Sequence, residues 1–224
     1  MSPAAPPPAD NTSHFNAADA LAAIREQQYT YRRRIEVRSA PLYTAWGLAW
    51  LIGYGVCGLS VGGDYALALG PFLVFMGCLV AAAVFTCVYI ARRSRGLRGR
   101  STWVGTLYGL AWAGGMILAF TTSSRVGAFL SELGTAQATN MGAILSNALP
   151  CLVVGVLFLA GAAIWEETSL AVTGGWVLVT TLAATIVGGH ALWAIMALAG
   201  GGGLLAAGIT TALLGRRQSA PVRD

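Results

Sequence analysis

Charged residues are scarce in this sequence, and one type is missing altogether. The chain of 224 residues is only 10% charged, where a soluble domain has roughly a quarter, and all 14 of its basic residues are arginine. Without a lysine amine the chain cannot form a Schiff base with retinal or pyridoxal phosphate. It also cannot contain the phosphate-binding GxxxxGK loop, so the chain is not itself a P-loop ATPase.

Metal and redox ligands are equally few. The sequence has two histidines and four cysteines, with neither a CxxC nor an HExxH spacing. The cysteines fall inside apolar runs, where they are typical of small packing residues. We therefore predict no catalytic residue, no cofactor-binding residue, no metal site and no enzymatic activity.

Long apolar runs make up most of the chain, since 56% of its residues are hydrophobic. A helix needs about 20 apolar residues to cross a hydrocarbon core of about 30 Å. Six runs qualify, and none of them contains Asp, Glu, Arg or His. We predict an all-α, polytopic membrane bundle of six transmembrane helices, residues 41–214, with spans near 41–61, 66–91, 103–122, 144–165, 168–188 and 191–214.

The arginines predict how the chain is oriented. If the N-terminus lies inside, 13 of the 14 arginines fall on the cytoplasmic side and only Arg125 falls outside. Cationic flanks are retained in the cytoplasm during insertion. We therefore predict a multi-pass protein of the plasma (inner) membrane with both termini cytoplasmic. No cleavable signal peptide is evident, so the first span is expected to direct insertion.

Three segments flank the predicted bundle. Residues 1–15 are rich in proline and are expected to be disordered. Residues 16–40 repeat apolar positions at intervals of four and three, which predicts a cytoplasmic amphipathic helix before the first span. Residues 215–224 form a short cytoplasmic tail.

The amphipathic helix has three interpretations that its pattern does not separate. It lies in the headgroup layer with its arginines on anionic lipid, pairs as a short coiled coil, or presents a docking face to a cytoplasmic partner. The arginines proposed to contact lipid or a partner here are Arg32, Arg33 and Arg34.

A second basic segment joins the second and third spans. Five arginines lie within the nine residues 92–100. They serve as a topology signal that attracts anionic lipid, or as a contact for a protein partner such as a cytoplasmic ATPase. Nucleic acid is not predicted as a partner, because no folded domain presents the loop. The contact candidates are Arg92, Arg93, Arg95, Arg98 and Arg100.

Helix-breaking residues occur inside two of the spans. A proline removes one helical hydrogen bond and frees a carbonyl, and consecutive glycines weaken a helix. These positions are candidates for a substrate pathway or a hinge. The alternatives are a packed kink with the asparagine bonded to a neighbouring helix, and close helix packing at the glycines. The candidates are Asn147, Pro150, Gly200, Gly201, Gly202 and Gly203.

Smaller patterns yield four further predictions. Val126, Phe129, Leu130 and Leu133 recur at helical spacing, which predicts a short interfacial helix capped by Ser124. Glu166 and Glu167 are expected to pair with arginines of 92–100. Small residues four apart predict a tight bundle and allow a homo-oligomer. Residues 44–50 (TAWGLAW) and 106–112 (TLYGLAW) resemble each other, either through duplication or by chance.

Two functions are compatible with these features. In layout alone the chain resembles small six-span permease or substrate-capture subunits of ATP-driven transporters, and no residue motif is shared with them. We therefore predict the membrane subunit of a transport system energised by a separate chain. The alternative is a non-transporting adaptor or sensor that recruits a partner through its N-terminal helix and arginine-rich loop.

Overall fold

The computed structural model describes residue 21, residues 39–93 and residues 100–218. Arg32, Arg33, Arg34, Arg95 and Arg98 lie outside these residues, as does nearly all of the predicted N-terminal helix. All regular structure in the described part is helical. The helices are α1 (Ala40–Ser60), α2 (Leu69–Arg93), α3 (Arg100–Glu132), α4 (Ala136–Trp165), α5 (Thr168–Val187), α6 (Gly189–Ile195) and α7 (Gly202–Gln218).

A π-helical segment, Met196–Gly201, joins α6 to α7, and we call these three consecutive elements the composite helix. With α1 to α5 it makes six helices that are long and apolar enough to cross a membrane. The predicted all-α class with six membrane-length helices is confirmed. The arrangement is consistent with a multi-pass integral membrane protein.

The interfacial helix predicted after the third apolar run is not a separate element. Helix α3 continues to Glu132, so Val126 and Phe129 lie on its last turns. Ser124 is not a cap, because its hydroxyl donates to the Thr121 carbonyl within α3 at 3.0 Å. Neither proline nor glycine interrupts residues 121–126, and such back-bonding lets a helix continue through a polar stretch.

The helices contact one another in the order α2, α1, composite helix, α5, α4, α3. The most buried membrane-length windows belong to the composite helix and α1, at 44% and 39%, whereas those of α2 and α3 are only 6% buried. Helices α2 and α3 therefore lie at the periphery, and many of their exposed side chains are large and apolar. The core forms where α1, α4, α5 and the composite helix converge.

Glycines form a close crossing between α4 and α5. A Cβ added to Gly174 would lie 2.9 Å from the Gly155 carbonyl oxygen and 3.1 Å from the Leu159 nitrogen. In lipid no hydrophobic effect drives helices together, so close backbone approach supplies the dispersion contact that holds them. Gly175, by contrast, faces open space.

We expect Gly174→Ala to destabilise the protein by about 2 kcal/mol, because the backbone of α4 cannot move aside without separating the two helices. Gly175→Ala should be neutral or slightly stabilising, since alanine favours the helix. Thermal unfolding of the detergent-solubilised variants measures both effects. Equal melting temperatures would show that this crossing does not depend on a bare backbone.

Candidate functional site

The bundle interior contains a polar cluster that links α1 to α4. The Tyr54 hydroxyl on α1 donates to Asn147 Oδ1 on α4 at 2.7 Å. Cys151, one turn further along α4, places its sulfur 3.8 Å from the tyrosine oxygen and 3.8 Å from the same amide oxygen. All three side chains are at most 5% exposed. Asn147 is therefore bonded to a neighbouring helix.

Two polar atoms of this region have no oxygen or nitrogen partner. They are the side-chain nitrogen Nδ2 of Asn147 and the hydroxyl oxygen of Thr181 on α5, which bonds only weakly, with the Cys151 sulfur. The adjacent Thr180 is satisfied, because its hydroxyl donates to the Trp176 carbonyl at 2.8 Å. A buried polar group without a full partner costs about 1–3 kcal/mol, so both atoms require an explanation.

Pro150 lies between the asparagine and the cysteine on α4. The helix continues through it without a break from Ala136 to Trp165. Because proline has no N–H, the carbonyl of Ser146 loses its helical donor. The backbone of α4 therefore lacks one helical hydrogen bond within one turn of the polar cluster.

The composite helix is interrupted where it packs on α1. Its π-helical segment, Met196–Gly201, has a widened turn of the kind that often occurs at functional positions. The Trp176 indole N–H on α5 donates to the Ala199 carbonyl inside this segment at 2.9 Å. Trp176 is thus held near the middle of α5 by a specific bond.

Three of the four consecutive glycines are required by packing. An added Cβ would lie 2.9 Å from the Trp50 ring at Gly200 and 2.6 Å from the Leu51 nitrogen at Gly201. At Gly203 it would collide with the Trp176 indole, whereas Gly202 faces open space. At these glycines the helix is therefore both interrupted and closely packed.

Aromatic rings surround the cluster and no formal charge enters it. The Tyr54 ring packs edge-on against Trp50 at 5.7 Å and lies 4.8 Å from Phe75 of α2 and 6.1 Å from Trp193 of the composite helix. The apolar runs that supply these residues contain no Asp, Glu, Arg or His. The cluster is therefore a small neutral polar site in apolar surroundings.

The other predicted contact residues lie away from this site. Arg92 and Arg93 end α2 and Arg100 begins α3. Glu166 and Glu167, both exposed, line an open depression where α4 meets α5. Glu167 accepts a hydrogen bond from the Ser169 hydroxyl at 2.7 Å. Only Arg92 of the five loop arginines has a described side chain, so pairing between the glutamates and that loop stays a prediction.

Sequence reasoning found Asn147 and Pro150 but missed the residues around them. Tyr54, Thr181 and Trp176 were not singled out, although polar atoms far from the ends of apolar runs are a usable signal. Trp176 lies near the middle of α5. A tryptophan at that depth needs a partner for its N–H, and this requirement could have identified it.

Comparison of the chain with protein-family models, with curated proteins and with solved structures gives no match. The function of the chain is therefore inferred from the packing and chemistry of its own residues.

Proposed function

We propose that this protein is the membrane subunit of a transport system energised by a separate chain. The observation that supports the proposal is that α1 connects two irregular helices of the core: its Tyr54 bonds to α4 beside Pro150, and its Leu51 packs on the π-helical segment of the composite helix. Irregular backbone is tolerated at membrane depth only where protein or a cavity satisfies it. Transporters place their substrate sites at such discontinuous helices.

A separate energy source follows from the chemistry of the chain. Proton- and ion-driven carriers use acidic or basic side chains inside the membrane, and the six apolar runs contain none. A P-loop requires a lysine, which the chain lacks. We therefore infer that active transport by this protein draws its free energy from a partner chain, such as one that hydrolyses ATP.

The arginines between α2 and α3 are the proposed contact with that partner. Arg92, Arg93 and Arg100 stand at the two helix ends that border the loop. In the proposed orientation they face the cytoplasm, where they attract anionic lipid headgroups as well as an acidic protein surface. A homo-oligomer formed through the exposed sides of α2 or α3 is compatible with the same arrangement.

Purification of the tagged protein from its own membranes in a mild detergent tests the proposal. We expect an ATPase to co-purify in near-equal amount, and replacement of the five arginines of 92–100 by glutamine to reduce it at least about tenfold, because several charge-assisted contacts are lost together. Mass spectrometry identifies and quantifies the bound chains. Arg125→Gln, at the other end of α3, is the matched control and should retain the ATPase.

The second candidate function is a membrane adaptor or sensor that transports nothing. The observation that favours it is the large exposed surface of α2 and α3, each of which packs on a single neighbouring helix. Co-purification of a regulator or another membrane complex without any ATPase would replace the transport proposal with this one.

A further inference from the structure

The unpartnered atoms at the polar cluster define what can bind there. The tyrosine has one hydroxyl hydrogen, and it is donated to Asn147 Oδ1. In the orientation that the structure shows, the amide oxygen is the acceptor for both Tyr54 and Cys151. This orientation leaves the two N–H donors of Asn147 free.

The second group belongs to the facing helix. Thr181 is 6% exposed, and its hydroxyl lacks the bond to a preceding carbonyl that Thr180 and Thr173 both make. Asn147 and Thr181 are both next to Cys151, one along the same helix and one across from it, and the Cys151 sulfur is only a weak partner for the hydroxyl. An oxygen in contact with both residues would accept from the amide and bond to the hydroxyl, so both groups would be satisfied at once.

We propose that Asn147 and Thr181 bind one small, neutral hydrogen-bond acceptor beside Cys151. Its chemistry is that of an uncharged oxygen, supplied by a water molecule or by the carbonyl or hydroxyl group of a neutral solute. Charged ligands are excluded because the apolar runs around the site contain no counter-charge, and an unpaired ion there is costly. The existence of this binding site is inferred from the packing of the described residues. Its role as a position on a substrate path rests on the proposed function.

The asparagine amide provides a direct probe of this site. The chain contains four asparagines, so selective ¹⁵N labelling of their side-chain amides gives a simple NMR spectrum of the full-length protein in lipid nanodiscs. Loss of one signal in Asn147→Leu assigns the relevant resonance. Asn140, whose Oδ1 accepts from the Gly189 N–H at 2.9 Å, is the internal control.

Two measurements on the Asn147 signal distinguish the sources of the oxygen. A nuclear Overhauser effect to water identifies a bound water, and a saturable shift on titration with acetamide identifies a site that accepts a neutral solute. Acetate and methylammonium, of similar size but charged, should leave the signal unchanged. Thr181→Val should weaken acetamide binding, or the water contact, about fivefold through loss of one hydrogen bond. Thr180→Val should have no effect.

The outcomes separate this inference from the proposed function. Absence of both the water contact and a saturable acetamide shift, an equal response to acetate, or identical behaviour of the two threonine variants would overturn the site. A protein that binds acetamide and recruits no ATPase keeps the site and loses the transport function. A protein that recruits an ATPase and shows neither signal loses the site only.

Discussion

Gly201→Ala should destabilise the protein by about 3 kcal/mol, whereas Gly202→Ala at the next position should stabilise it by up to about 1 kcal/mol. A methyl group on Gly201 would lie 2.6 Å from the Leu51 nitrogen and 3.0 Å from the Gly47 carbonyl oxygen. Both atoms are backbone atoms of α1, so only displacement of a whole helix relieves the clash. Gly202 has open space at the same point, and its variant gains helix propensity alone.

Unfolding of the two variants in detergent micelles, followed by circular dichroism, measures the difference. The two variants form a matched pair, because the residue type and the substitution are the same and the positions are adjacent. If both variants were stabilised, the composite helix would not pack directly on α1. The candidate hinge at the π-helical segment would then lack the contact with α1 that the structure shows.

Asn147→Asp should cost about 3 kcal/mol of stability, a typical penalty for a carboxylate at the centre of a membrane helix. The side chain keeps its size and its acceptor for Tyr54, so packing is unchanged and charge is the main variable. The position is 5% exposed and lies among aromatic and apolar residues. The same unfolding measurement, at neutral pH, reports the loss.

The control for this charge is Asn140→Asp. Asn140 lies in the first turns of α4, where a negative charge is favoured by the helix dipole, and its Oδ1 already accepts a backbone N–H. We expect a change in stability below about 0.5 kcal/mol. Equal losses of stability at the two positions would show that the Asn→Asp exchange itself, and not burial, causes the loss. An unchanged Asn147→Asp protein would show that bulk water reaches the cluster.

The helices could be predicted from the sequence because lipid imposes a simple requirement. Each crossing segment must satisfy its own backbone in a medium without water, so about 20 uncharged apolar residues in a row are sufficient evidence for a helix. The ends were harder to predict, as α3 shows. Residues 121–124 are polar, so composition alone suggested an end there, yet the Ser124 hydroxyl bonds back to the helix and the Ser123 hydroxyl donates to the Leu145 carbonyl of α4.

The candidate site was predicted only in part, for a related reason. Asn147 and Pro150 were found because each is unusual within an apolar run. Tyr54 and Thr181 were missed, since tyrosine and threonine are common in such runs and their importance comes from what they face. Thr180 and Thr181 are neighbours with the same side chain, and only the packing of α4 on α5 distinguishes the bonded hydroxyl from the free one.

The two similar segments, residues 44–50 and 106–112, differ in burial although their sequences are nearly the same. In residues 44–50 the glycine is buried, and an added Cβ would lie 2.8 Å from the Leu205 nitrogen. In residues 106–112 the glycine at the same place, Gly109, is exposed and faces open space. Equivalent glycines of two near-identical segments therefore lie at a helix interface in α1 and on the exposed side of α3.

The sequence by itself determined the membrane-length helices, their number and the absence of charge within them. The tertiary structure decided which side of each helix is buried, which glycines are needed and which polar atoms meet. In water, a buried face is marked by apolar residues at helical spacing, because the opposite face must be polar. In lipid both faces are apolar, so close packing between small residues makes that choice, and only the assembled helices reveal it.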